Sequence, residues 1–377
     1  MHTFLTGSGL FVTVLYVIFV LSLYTGLRRL KPGRNRKRYK VSVVIAARNE
    51  ENNLKACLDA LLAQDYPGGL LDIIIVNDRS TDATRDIAED YHLRHPRIML
   101  IDVQEVPENF APKKYALTQG IRAPSAQGEI ICTTDADCVP PPSWVSEMIT
   151  YFEDDVGFVA GFSPIYMKNH KKGIISDFLY MDSIGLATAS AGGIGCGTGW
   201  TCAGRNLAYR KAVFEEVGGF EDVKHIISGD DDLLMFLILK KTKWRLRYAV
   251  SKKASVPSYD DTDVRRFANQ RARHSSKFFA YPARVKLASM AIFLFYFAFL
   301  FYPVYMLVTW QFLTVYLVMA GSKFLLEMLA IGKGARTFGA KFTITAFVKA
   351  YLTHPVVIVL FAIPGSSGKF TWKEREF

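Results

Sequence analysis

Residues Phe4 to Tyr24 form an apolar run without a single charge, and eight basic residues with no acidic one follow between Arg28 and Lys40. That pairing constrains the fold more than any other feature of the chain. About 20 consecutive apolar residues span the hydrocarbon core of a bilayer. Inside that core only a helix satisfies all its backbone hydrogen bonds within one segment. No basic stretch precedes the run and no small-x-small cleavage site follows it, so a retained span is expected rather than a removable leader. Basic flanks stay on the cytosolic side. The amino terminus is then expected outside and the chain after Arg28 inside.

Those eight charges make up most of the formal net charge of +11. The excess is therefore read as a membrane-facing stem, with anionic lipid headgroups as its partner and no nucleic acid. Three more apolar segments lie near the carboxyl end. Leu287–Trp310 is uncharged, and Phe312–Ile331 carries Lys323 and Glu327, which stand i, i+4 on one helical face and can pair or face a bundle interior. Between them Trp310-Gln311 suits an outside turn, and Lys333, Arg336 and Lys341 suit an inside loop after Gly332. Ile344–Ile363 is interrupted by Lys349, His354 and Pro355, so it either crosses or re-enters, which leaves the side of the tail open.

From Val41 to Pro257 the pattern changes. Val41–Ala47 is a short, β-branched apolar run of the kind found in a buried strand. Asn49 is placed to cap a helix with Glu50 and Glu51 in its first turn and Leu54, Leu58, Leu61 and Leu62 on one face. Strands are expected at Leu71–Val76, Arg97–Val103 and Glu129–Thr134, and helices at Thr81–Tyr91 and Lys113–Arg122. Such alternation means an α/β fold with a doubly wound, mostly parallel sheet, whose ligands bind beyond the carboxyl ends of the strands. Asp78, Asp135 and Asp137 fall there. No GxGxxG or Walker loop is present to cradle phosphate.

Asp135 and Asp137 offer paired carboxylates, the oxygen ligands that Mg2+ or Mn2+ prefers when a diphosphate completes its shell. Asp78 can accept hydrogen bonds from a base or ribose, and Lys113 and Lys114 open a helix where a phosphate is favoured. Asp230, Asp231 and Asp232 are three adjacent acids, whose repulsion raises at least one pKa and suits a general base. They also start a helix, where one of them serves as a cap. Gly192–Gly199 is glycine-rich and reads as a connector or an acceptor-side loop. The five cysteines lack CxxC spacing and read as reduced core residues.

Together, Asp78, Asp135-x-Asp137, Cys202–Arg210, Gly229–Asp232 and Gln270-Arg271-Ala272-Arg273-His274 resemble, in order and spacing, the motifs of family 2 glycosyltransferases, over roughly Lys40 to Lys277. The membrane layout and the Trp372–Arg375 tail resemble its membrane-bound bacterial members. The resemblance implies a GT-A (Rossmann-like) cytosolic domain flanked by transmembrane helices in a multi-pass protein of the cell membrane, and transfer with inversion from a nucleotide-sugar. It implies that Asp78 binds the base or ribose, that Asp135 and Asp137 hold the diphosphate, Asp137 through the metal, and that Asp230 or Asp231 takes the acceptor proton. Lys113, Lys114, Gln270, Arg273 and His274 join as substrate-binding residues. His274 stands where the family usually has Trp, which leans away from a processive polysaccharide synthase and toward single transfer onto a lipid or lipid-linked acceptor. A non-catalytic nucleotide-binding membrane protein is the remaining alternative.

The expected layout is a membrane helix over 1–27, a basic linker over 28–40, the α/β domain over 41–257, an interfacial amphipathic segment over 258–285, three membrane segments over 286–363 and a tail over 364–377. The segment from Thr262 to Arg284 mixes six basic residues with Phe267, Phe278, Phe279 and Tyr281, as an interfacial helix does.

Overall fold

The computed structural model describes residues 2–168, 173–260, 264–309, 312–366, 371–372 and 375–376. The turn expected at Trp310-Gln311, Thr262 and the side chains of Arg265, Arg266 and His274 lie outside the described residues. The chain divides into two units. A helical unit takes Met1–Arg29, His170–Cys196 and Thr262–Phe377, and a sheet unit takes Leu30–Asn169 and Gly197–Asp261.

Helix α1 (His2–Arg29) carries the uncharged run and ends on Arg28 and Arg29, where cations meet the negative end of the helix dipole. Residues 30–40 are a strap fastened to the sheet unit. The Asn35 amide donates to the Thr150 carbonyl at 2.8 Å, Arg247 Nη2 donates to the Lys31 carbonyl at 2.8 Å, and Tyr39 is buried.

The sheet unit then alternates as the sequence predicts: β1 (Val41–Ala47), α2 (Leu54–Leu62), β2 (Leu71–Asp78), α3 (Thr84–Arg94), β3 (Ile98–Val103), α4 (Pro112–Arg122) and β4 (Ile130–Thr133). α2 starts four residues later than Asn49 would place it. Asn49 adopts φ 51° and its Oδ1 accepts the Thr81 amide at 2.9 Å, so it joins two loops instead of capping a helix. α5 (Trp144–Ile149), β5 (Val156–Gly161) and β6 (Ile165–Met167) follow. α6 (Ile174–Gly195) belongs to the helical unit, after which β7 (Leu207–Arg210), α7 (Lys211–Glu216), α8 (Asp232–Lys241), β8 (Arg245–Ala249) and β9 (Ser258–Asp260) complete the sheet unit.

Seven strands pair in the order β3-β2-β1-β4-β7-β5-β8. β7 runs antiparallel to β4 and β5, and the other pairings are parallel. β1 and β2 are buried on both faces, which is why Val43, Val44, Ile45, Ile73, Ile74 and Ile75 read as unbroken apolar runs. Each such side chain contributes about 1.5–3 kcal/mol by leaving water. The parallel strands send their carboxyl ends, and the loops that carry Asp78, Asp135 and Asp137, to one edge of the sheet.

The helical unit adds α9 (Val264–Ser276), α10 (Ala283–Thr309), α11 (Leu313–Phe338) and α12 (Ile344–Ser366). Among the described residues, four helical stretches are long and apolar enough to cross a membrane: Thr6–Arg29, Ala283–Leu307, Leu313–Phe338 and Ile344–Phe361. α11 continues through Gly332, where a loop was expected, and stops at Gly339 with φ 66°, a left-handed terminator. α12 runs unbroken past Lys349, His354 and Pro355. Gly192 and Gly195 lie in α6, not in a loop. α1 approaches so closely that a Cβ on Gly192 would sit 2.6 Å from the Leu23 carbonyl oxygen, the use that small residues have between tightly packed helices. Lys323 and Glu327 pair at 2.8 Å, as their spacing allows.

Candidate active site

The loops after β1 and β2 are laced into one rigid edge. The Glu50 amide donates to Thr84 Oγ1, the Glu51 amide to Asp82 Oδ2 at 3.1 Å, and the Ala83 amide to Glu51 Oε2 at 3.0 Å. Asp78 ends β2 and is buried, with Oδ1 accepting from Arg79 Nε at 2.8 Å and Nη2 at 2.5 Å. Arg79 holds that grip from a left-handed backbone, φ 52°.

Asp135 and Asp137 leave the end of β4. Lys113, in the first turn of α4, places its ammonium 2.8 Å from Asp135 Oδ1 and 3.0 Å from Asp230 Oδ2. One cation thereby joins the β4 loop to the loop before α8. Burial alone would push the Lys113 ammonium down, but the two carboxylates hold it well above the usual lysine range. Burial and the nearby charge of Asp135 push the Asp137 carboxyl up to about 6, against the pull of Arg205.

Lys114 is the first correction. Its side chain is fully buried, and Nζ donates to the carbonyls of Val223 at 3.0 Å, Ile226 at 2.5 Å and Ser228 at 2.9 Å. It pins a loop and does not present its charge to a substrate. The three adjacent acids also separate. Gly229 turns the chain with φ 87°, and Asp231 caps α8: Oδ1 accepts the Asp232 amide at 2.7 Å and Oδ2 accepts the Gly204 amide at 3.0 Å. Asp232 is buried in the first turn of α8. Asp230 is the acid that faces Lys113.

The family model for glycosyl transferase family 2 matches residues 42–218, a stretch that holds Asp78, Lys113, Asp135 and Asp137 and stops short of Asp230. The chain carries a family 2 glycosyltransferase domain. A probable glycosyltransferase of Bacillus subtilis, YdaM, is 30% identical over 189 residues, which cover 48% of this chain and 43% of that protein. The beta-monoglucosyldiacylglycerol synthase of Synechocystis is 30% identical over 112 residues, 30% of this chain and 22% of that protein. The chain thus spans less than half the length of these curated relatives. Among solved structures, a mannosyltransferase of Pyrobaculum calidifontis in complex with GDP-Man and Mn2+ superposes with a TM-score of 0.60 at 18% identity, covering 96% of this chain and 98% of that one. It shares the fold, which is of the GT-A type.

Within the glycosyltransferase domain, the donor atoms fit a hard divalent cation. Asp135 and Asp137 offer carboxylate oxygens separated by one residue, and their mutual repulsion is what a cation would relieve. Among the described residues, no three His, Cys, Asp or Glu side chains are grouped to hold a metal by themselves. The rest of the shell would come from phosphate and water, as is usual for Mg2+. Arg205 was not singled out in the sequence. Its guanidinium bears on Asp137 because β7 runs antiparallel and delivers its amino end to the carboxyl end of β4.

Gln270 and Arg273 lie on α9, in the helical unit. Their neighbour Arg271 is a structural anchor. Nη2 lies 2.7 Å from Asp182 Oδ2 on α6, with His354 Nε2 of α12 3.6 Å from the other oxygen. Burial would raise Asp182, but Arg271 and His354 hold it well below the usual carboxylate range. α6 itself, and hence Asp182, was missed in the sequence.

Proposed function

We propose that the chain is an inverting glycosyltransferase that moves a sugar from a nucleotide-sugar, a UDP-sugar by family resemblance, to a lipid or lipid-linked acceptor at the cytosolic membrane face. The observation that supports this reading is the Lys113 ammonium joining Asp135 to Asp230, which brings the two acids to one patch of the sheet edge.

In the proposed reaction the acceptor hydroxyl oxygen attacks the anomeric carbon while the Asp230 carboxylate takes its proton. The new carbon–oxygen bond forms as the bond to the donor phosphate breaks, and that electron pair leaves with the nucleoside diphosphate. Single displacement inverts the carbon and needs no protein nucleophile. Asp231 is a poorer base, since both its oxygens already accept backbone amides. Asp78 takes the base or ribose. Bound at Asp137, with Asp135 beside it, Mg2+ or Mn2+ supplies charge neutralisation to the leaving diphosphate. The resemblance also assigns Gln270, Arg273 and His274 to the substrates.

A lipid acceptor is supported by four helices apolar enough to cross a membrane and by the diacylglycerol-based name of the Synechocystis relative. Incubating membranes that contain the protein with labelled nucleotide-sugars, then extracting lipid, tests the proposal. Label in a discrete glycolipid is expected. Label in a long polymer would point to a processive synthase, and nucleotide binding without transfer to a non-catalytic protein.

A further inference from the structure

We propose that Lys113 couples donor binding to release of the base: without donor its ammonium ties Asp230 to Asp135, and the donor diphosphate draws it off Asp230. This rests on the donor reading above and goes beyond it by assigning Lys113 as a positioning residue for Asp230.

The argument starts from two adjacent lysines with different partners. Lys114 donates to three backbone carbonyls, of Val223, Ile226 and Ser228. Those groups are chain and cannot leave. The Ala111 amide adds a bond to the Lys224 carbonyl at 2.6 Å. The start of α4 is therefore fixed on the loop that runs directly into Asp230. Lys113 sits on the same turn, but its partners are side-chain carboxylates, and any better anion can replace them.

The surroundings of Asp230 leave Lys113 as the part that moves. Asp231 is fastened to the amides of Gly204 and Asp232. Gly204 backs onto Asp230, and a Cβ there would lie 3.1 Å from Asp230 Oδ2. The Lys113 stem, by contrast, has four rotatable carbons and three rotatable donors. The Lys113 and Asp135 side chains are 21% and 31% exposed, so a ligand can reach the pair, whereas Lys114 is sealed.

A diphosphate offers the same charge-assisted hydrogen bonds as a carboxylate, with more charge. Once the ammonium turns to phosphate, Asp230 loses the cation that occupies its oxygen and can accept a proton. An acceptor hydroxyl, or water, then meets a competent base only when donor is present.

The test is a double-mutant cycle on nucleotide affinity, read by calorimetry on the 377-residue chain in detergent, with UDP and GDP as probes in Mg2+. Asp230→Asn removes the competitor for Lys113 and should tighten binding about three- to tenfold. In a Lys113→Gln background the same change should tighten binding less than about twofold. Lys113→Met, which keeps the stem, replaces Lys113→Gln if that variant fails to fold. Equal tightening in both backgrounds would mean that Asp230 only repels the diphosphate, and overturns the coupling while leaving the donor reading intact. Binding of neither nucleotide by the unsubstituted chain overturns the donor reading itself, and the coupling with it.

Discussion

Lys323 in the helical unit and Lys113 in the sheet unit each hold a carboxylate at 2.8 Å, yet the two pairs serve opposite ends. Lys323 is fully buried, and it also meets the Tyr351 carbonyl at 3.1 Å, the Tyr351 ring 3.8 Å away and the rings of Tyr296 and Phe299. Glu327 in turn accepts from Tyr16 and, at 3.1 Å, from Tyr296. Every partner there belongs to a packed helix, so the pair is a fixed part of the bundle. Lys113 faces two carboxylates at an edge that water reaches, and its pairing can be exchanged. An ion-pair distance alone does not separate a fastener from a switch. Exposure and the mobility of the partners do.

The largest effect that would sharpen this contrast is expected at Asp230. Asp230→Asn should lower sugar transfer about 10²- to 10⁴-fold while nucleotide binding persists, measured as labelled glycolipid per unit of protein. Undiminished transfer would remove Asp230 from the role of base. Next comes Lys323→Met, which strands Glu327 in the bundle and should destabilise the protein by about 3 kcal/mol, seen in detergent melts. The paired change with Glu327→Gln should recover most of that loss, and failure to recover would break the view of the pair as a closed unit.

A smaller effect follows from Asp137. Its pKa stands at about 6, above the usual carboxylate value of 3.8. A raised acid stabilises the fold fully below the ordinary value and loses that contribution as pH rises through about 6. Metal-free protein should therefore melt at lower temperature as pH climbs from about 4 to about 6. Mg2+ with UDP should flatten the slope, and Asp137→Asn should abolish it. The smallest effect belongs to Asp231→Ala, which removes a helix cap and should cost about 1 kcal/mol in stability, with transfer per folded molecule far less affected than by Asp230→Asn.

The sequence made the alternating strands, the acids at their carboxyl ends and the four apolar helices legible, because each rests on a local period or a local charge pattern. What it hid depends on long-range partners. Lys113 and Lys114 carry the same local signal, and only the carbonyls of Val223, Ile226 and Ser228 decide which is buried. Asp230 and Asp231 are told apart by Lys113 on the first and the amides of Gly204 and Asp232 on the second. Asn49 fits a cap by its neighbours but is claimed by Thr81 from the next loop. α6 escaped notice because its closing glycines look like a loop until α1 lies against them.

The antiparallel β7 has a consequence for the order of assembly. Its neighbours β4 and β5 come from the first stretch of the sheet unit, Leu30–Asn169, but β7 comes from the second, Gly197–Asp261, with α6 made in between. A chain emerging from the ribosome therefore holds β1–β4 and β5 without the strand that joins them until α6 has been synthesised. Pairings so distant in sequence form late and slowly. The loop with Gly204 and the acid at Asp230 follow α6 as well, so the nascent chain completes the loop with Asp135 and Asp137 well before it acquires Asp230.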